Sequence, residues 1–291
     1  MPVLAMRAKP DCIVCMFRQA LNTARLVSDD PELHLKVLAR VAETVPGIAM
    51  DRTPANLSQP AYEIVSELTG SRDPYAEQKR LNNTAALEVL PDVAAMVAAA
   101  QDPLDAALHA AVAGNVIDLG IGHAFDIERD IAELMHRDFA VNAIEDFRRD
   151  IGPARKVLYL GDNAGEIVFD TLLVTEIIKS GAEAVFTVKS GPIINDATMA
   201  DAEAVGMTQL VPVMETGAAD IGVDWRNVSD EFREAFESAD VIVAKGHGNF
   251  ETCNERGENI YFLLKAKCAM VAEELGVKLG DIVFRHGGTG Q

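Results

Sequence analysis

Beyond Gly152-Pro153 the apolar pattern of this chain changes period, and that change constrains the fold most. Short apolar runs at residues 157–160, 184–188, 209–213, 241–244 and 281–284 alternate with segments of helical spacing. Strands that are apolar at nearly every position must be buried on both faces, and strands separated by helices are joined as parallel crossovers. The expectation is an α/β fold: a Rossmann-like parallel sheet of about five strands with helices on both faces. Ahead of it the pattern is helical, with apolar spacing over 15–27, a start at Pro31-Glu32, another at Ser58-Gln59-Pro60, and alanine-rich runs at 93–100 and 104–113 separated by Asp102-Pro103. Residues 126–135 and 142–148 continue that reading, so the sequence divides into a mostly helical N-terminal domain (1–150) and an α/β domain (151–291) whose strand ends carry the candidate site.

Charge narrows the function. With 45 acidic against 26 basic residues the formal charge is -19, and no basic block offsets it. Such a surface repels nucleic acid and anionic membranes, so neither is expected as a partner. No segment approaches the roughly 20 apolar residues that span a bilayer, and Met1-Pro2-Val3-Leu4-Ala5-Met6-Arg7 lacks the layout of a signal peptide, which makes a cytoplasmic location the expectation. An anionic substrate would need a metal or local cations to hold it. The four cysteines do not form a disulfide framework, and Cys12 and Cys15 have CxxC spacing without a second such pair. They are equally readable as small buried residues and as a redox or metal pair, which Cys268 or Cys253 could join in space.

Chemistry concentrates at strand ends. The run Lys156-Val157-Leu158-Tyr159-Leu160-Gly161 stops at Asp162-Asn163-Ala164-Gly165-Glu166, and the next strand-like run leads through Gly191-Pro192 to Asn195-Asp196. Carboxyl ends of parallel strands are where open α/β sheets bind ligands. Asp162, Asn163 and Asp196 supply oxygen ligands only, which suit a hard divalent ion of the magnesium, manganese, cobalt or nickel group, with part of the shell left for water and a phosphate. Each alone reads as a helix cap; together they favour a metal. Glu166 orients a water or simply favours the positive end of its helix. Lys245-Gly246-His247-Gly248-Asn249 follows another strand, and here Lys245, Gly246 and Asn249 are candidate phosphate contacts, although the segment is not a Walker loop. Asn115 and Asp118, among apolar neighbours, are candidates for reading the rest of the substrate, or for capping a helix end. The scattered histidines give no histidine metal centre.

The blocks Asp162-Asn163-Ala164-Gly165-Glu166, Gly191-Pro192-Ile193-Ile194-Asn195-Asp196-Ala197-Thr198 and Lys245-Gly246-His247-Gly248-Asn249-Phe250-Glu251 resemble, in order and spacing, the signature blocks of the metal-dependent damage-control phosphatases, domain of unknown function family 89. Cys12-Ile13-Val14-Cys15 and Gly114-Asn115-Val116-Ile117-Asp118 are similar to features of its short prokaryotic branch. The resemblance implies a metal-dependent phosphatase acting on small, sugar-phosphate-like metabolites, with the metal on Asp162, Asn163 and Asp196, and it places Glu166 and Asp170 at the start of the following helix. His247 stands where members often carry Gln. Asp162 is open to two roles, ligand to an ion that activates water or nucleophile. The alternatives are a nucleotide-cofactor enzyme such as a methyltransferase or dehydrogenase, which the missing G-x-G-x-x-G spacing disfavours, and a non-catalytic metal- or phosphate-binding protein. The sequence leaves the oligomeric state open.

Overall fold

The computed structural model describes residues 6–114, 133, 135 and 137–287. Its centre is a seven-stranded sheet in the order β1-β7-β6-β5-β2-β3-β4. The strands are β1 (Val141–Asn142), β2 (Lys156–Leu160), β3 (Glu183–Val188), β4 (Val213–Glu215), β5 (Val241–Lys245), β6 (Ile260–Lys265) and β7 (Ile282–His286). Every pairing is parallel except β6 with β7. The expectation of about five strands omits β1 and β6, and β4 lies slightly beyond the expected run at 209–213, part of which forms a short helix (Met207–Leu210).

Chain order reverses beside β2. The sheet grows from β2 to β3 and β4 on one side, then returns to β5 on the other side of β2 and grows outward again. The carboxyl ends of β2 and β5 therefore flank the switch point of a doubly wound sheet, where a crevice opens because the flanking connections leave in opposite directions.

Both faces of the sheet are buried. Val157 and Tyr159 of β2, Val241 and Val243 of β5, and Tyr261 and Leu263 of β6 join one core, while Leu158, Leu160, Ile242, Ala244, Phe262 and Leu264 join another. The first core is closed by α4 (Ala76–Ala99), α5 (Pro103–Ala113), α6 (Ile144–Ile151) and α7 (Glu166–Lys179), the second by α10 (Asp230–Ser238), α11 (Gly246–Cys253) and α12 (Ala269–Leu275). Helices α8 (Met199–Ala204) and α9 (Met207–Leu210) lie between β3 and β4. A third core, with Met16, Ala20, Val37, Val41, Leu57 and Val65, belongs to α1 (Pro10–Val27), α2 (Pro31–Thr44) and α3 (Pro54–Thr69).

Helix α3 begins earlier than Ser58-Gln59-Pro60 suggested. Thr53 caps it by accepting the Asn56 N–H at 3.2 Å, and Pro54 takes the first helical position, leaving Pro60 inside. The capping hydroxyl followed by proline was the stronger start signal. Among the described residues, no helix is long and apolar enough to cross a membrane.

Candidate functional site

Two loops meet at the switch point. Asn163, just after β2, and Asp196, in the loop after β3, pair as an isolated antiparallel bridge. Reciprocal backbone bonds lock them: Ala164 N–H donates to the Asn195 carbonyl at 2.9 Å, and Ala197 N–H donates to the Asp162 carbonyl at 2.8 Å. Beside them Ile194 holds φ at +47°, a conformation that strains a β-branched residue. The local sequence alone does not disclose that strain.

The third element is the turn into α11. Gly246 has φ +76°, and a Cβ there would stand 1.9 Å from Asp162 Oδ2. Only glycine lets the β5 end approach the aspartate so closely.

Asp162, Asn163 and Asp196 line a cleft of about 730 Å³. Its opposite wall comes from α1 and α3, with Cys12, Cys15, Gln19, Ser58 and Tyr62, and its rim carries Lys9, Lys267 and Glu273. A cleft of this size accommodates a small molecule. Lys9 and Glu273 pair at 2.6 Å across the rim.

Electrostatics at the floor are strongly acidic. Asp162 keeps a small face to the cleft, but burial, then the Glu166 and Asp196 carboxylates, push its pKa well above the usual range, against the pull of Lys267 and Lys245. Burial likewise raises Asp196 to about 6, with Lys189 opposing and Glu166 reinforcing the rise. Lys189 Nζ lies 3.7 Å from Asp196 Oδ2 and also donates to the Gly222 carbonyl. The amide of Asn163 points Nδ2 at Asp162 Oδ2 (3.0 Å) and Glu166 Oε1 (2.6 Å), so its positive end sits between two acids.

Lys245 corrects the expectation of a phosphate contact. It is fully buried, and its ammonium donates to Asp170 Oδ1 at 2.7 Å and to the Ala111 carbonyl at 2.8 Å, with Glu166 Oε2 at 3.7 Å. Burial alone would lower its pKa, but Asp170 and Glu166 outweigh that and raise it, so the lysine is charged. Asp170, also held by the Tyr159 hydroxyl at 2.8 Å, is pushed up to about 6 by burial in spite of Lys245. Asn249 is corrected in the same way. The Asn249 amide donates to the Gly161 and Lys245 carbonyls, tying α11 to the end of β2, and Gly246 packs against Asp162. Glu166, buried beneath Asn163, belongs to the acidic floor rather than to the cleft wall. Asn115 and Asp118 lie outside the described residues.

Lys267 went unrecognised in the sequence. It stands exposed on the cleft rim two residues past β6, close enough to Asp162 to draw its pKa down. Recognising 260–265 as a strand parallel to β5 would have placed it on the same edge. His247 braces this segment: its Nε2 lies 2.7 Å from the Lys265 carbonyl oxygen and 3.0 Å from the Lys267 nitrogen. Burial, offset only in part by that carbonyl, lowers its pKa to about 4, which keeps it neutral at physiological pH.

Glu251 of α11 is buried at the cleft wall, and burial pushes its pKa from 4.5 to about 7, with the Ala55 backbone opposing the rise. The folded protein thus holds this proton more tightly than the unfolded chain, and the Glu251 contribution to stability falls as pH rises from 4.5 through about 7. Glu251→Gln removes that slope. In urea unfolding at about pH 8 the variant is expected to exceed wild type by roughly 1–3 kcal/mol, with the two converging near pH 4.5; a variant less stable at the higher pH would contradict this account.

Taken together, the fold and the site define a doubly wound α/β protein whose small-molecule cleft is floored by carboxylates and an amide at the switch point. Comparison with known proteins gives the family. Residues 8–283 match the model of the damage-control phosphatase ARMT1-like domain. The chain is 35% identical to a damage-control phosphatase of Archaeoglobus fulgidus over 297 residues (96% of this chain, 99% of the relative). It is 33% identical to a damage-control phosphatase of Pyrococcus horikoshii over 282 residues (96% and 97%). A crystal structure of a DUF89 family protein from Pyrococcus horikoshii superposes with a TM-score of 0.89 at 32% identity, covering 97% of this chain and 99% of that one. The chain belongs to the damage-control phosphatase family.

Proposed function

We propose that this protein is a metal-dependent phosphatase that hydrolyses small, sugar-phosphate-like metabolites, using one divalent ion held by Asp162, Asn163 and Asp196. The observation that carries the reading is the convergence of these three side chains at the floor of one small-molecule cleft. Among the described residues no three His, Cys, Asp or Glu side chains stand close enough to hold an ion, and in the proposed site the Asn163 amide is the third ligand. Rotation of the Asn163 amide by half a turn presents Oδ1 in place of Nδ2. The charge supports a divalent ion. Asp162 and Asp196 are both pushed toward the protonated form by burial and by the Glu166 carboxylate, in spite of Lys267 and Lys245 beside the first and Lys189 and Lys79 beside the second, and a divalent ion would let both carboxylates ionise. Oxygen-only ligands favour magnesium, manganese, cobalt or nickel over softer choices.

When bound, such an ion polarises the phosphoryl group and acidifies water. The remaining work falls to the chain. Lys267 on the rim draws the phosphate toward a protein of net charge -19, Lys189 holds Asp196 from behind, and Gly246 keeps Asp162 in place. The walls of α1 and α3 receive the rest of the substrate.

A phosphate-ester panel assayed with and without each divalent ion tests the reading. Hydrolysis that appears on adding metal and vanishes with chelator supports it; equal rates in chelator oppose it. Lys267→Ala is expected to raise KM about 10-fold at low ionic strength with little change in kcat, an effect that salt should shrink. Gly246→Ala places a methyl where Asp162 Oδ2 lies 1.9 Å away, and a displacement of that size should cost about 10²-fold in turnover. Circular dichroism on the same sample separates this loss from unfolding.

A further inference from the structure

Behind the acidic floor, outside the cleft, α4 carries a buried polar network that none of the chemistry above uses. Lys79, Asn83 and Asp201 are 4%, 5% and 8% exposed. Asn83 is used at both ends of its amide: Oδ1 accepts the Gly165 N–H at 2.7 Å, and Nδ2 donates to Asp201 Oδ1 at 3.0 Å. Gly165 closes the Asp162-Asn163 loop at the start of α7, with φ +85°. Asp201 closes the Asn195-Asp196 loop at the start of α8, where its Oδ2 accepts the Thr198 N–H at 2.9 Å and the Thr198 hydroxyl at 2.8 Å. Lys79 donates to the same oxygen at 3.2 Å and pairs with Asp73 at 3.0 Å, which fixes the charge of Asp201 in place.

One side chain thus ties together the two loops that carry Asp162, Asn163 and Asp196. A buried amide bonded at both ends is costly to leave half-satisfied, so the strut holds its length. We infer that Asn83, supported by Lys79 and Asp201, is a positioning residue that sets the spacing of the two loops, and through it the affinity of the site for its divalent ion. This rests on the proposed metal site, and it adds a determinant on a helix that touches neither ion nor substrate. Groups that orient metal ligands from behind change affinity by about 10–100-fold when removed.

The test is equilibrium binding of Mn²⁺ alone, without substrate, to the full chain. Asn83→Asp keeps the shape and the acceptor for Gly165 but sets a carboxylate against Asp201; Asn83→Ser removes both bonds without adding charge. The expected result is an Mn²⁺ dissociation constant raised at least about 10-fold in each variant that still melts cooperatively, with kcat recovering at saturating Mn²⁺. If Asn83→Asp does not fold, Asn83→Ser decides. Unchanged Mn²⁺ affinity in a folded variant, even with a lowered melting temperature, would overturn the inference and leave the network purely structural. Failure of the wild type to bind Mn²⁺ at all would instead remove the metal site itself, and the inference with it.

Discussion

Asp162→Asn is expected to abolish phosphatase turnover, by about 10²–10³-fold or more, while leaving the fold as stable as wild type or more so. The first half follows from the proposed role: the substitution keeps size and removes one ligand charge, which weakens the hold on the ion and any nucleophilic role at once. The second half follows from where the residue sits. Burial and the neighbouring carboxylates of Glu166 and Asp196 make an ionised Asp162 unfavourable in the metal-free protein. A neutral amide relieves that repulsion, so the metal-free fold gains stability at neutral pH relative to wild type. Loss of activity with a raised melting temperature is the signature of a residue kept for function at the expense of stability. An unchanged rate with every metal would return the protein to a binding role.

Lys245→Met is expected to act in the opposite sense, on the fold first. In wild type the buried ammonium compensates Asp170 and Glu166, and removing it leaves two carboxylates in the first core without a cation. Breaking a buried pair from one side costs about 3–5 kcal/mol. Asp170 already titrates at about 6 with the lysine present, and without it the folded state prefers the protonated acid more strongly. The destabilisation is therefore greatest above about pH 6 and shrinks as pH falls. Adding Asp170→Asn should recover part of the loss. Urea unfolding of the three proteins at both ends of this pH range checks the sign, and a single variant as stable as wild type at neutral pH would show that the ammonium is not needed.

Lys245 also shows what the sequence allowed and what was overlooked in it. A lysine beside glycines at a strand end suggested a phosphate contact, but β5 alternates, and Lys245 shares the face of Val241 and Val243, which pack into the core closed by α5 and α7. Parity along the strand pointed inward, toward Ala111 and Asp170. The meeting of Asp162, Asn163 and Asp196 at one sheet edge was legible for a different reason. An apolar run that ends in acid and amide marks a strand's carboxyl edge whatever the tertiary detail, and neighbouring parallel strands bring two such edges together.

The strand Ile260–Lys265 was equally legible as five apolar residues in succession, and omitting it hid Lys267. Other features were out of reach. The strut from Asn83 to Gly165 and Asp201 spans 82 residues in one direction and 118 in the other, and no local pattern records such a contact. The same holds for the wall that Cys12, Cys15 and Cys268 share in the cleft, which depends on how α1 docks against α12.

The most direct test of the central claim is the position of the ion. In crystals grown with Mn²⁺, anomalous scattering should give one strong peak bonded to a carboxylate oxygen of Asp162, the Asn163 Oδ1 after its amide has turned, and a carboxylate oxygen of Asp196, with the peak absent in Asp162→Asn. A peak at the thiols of Cys12, Cys15 and Cys268, or none near the three residues in protein that hydrolyses phosphate esters only with Mn²⁺, would contradict it.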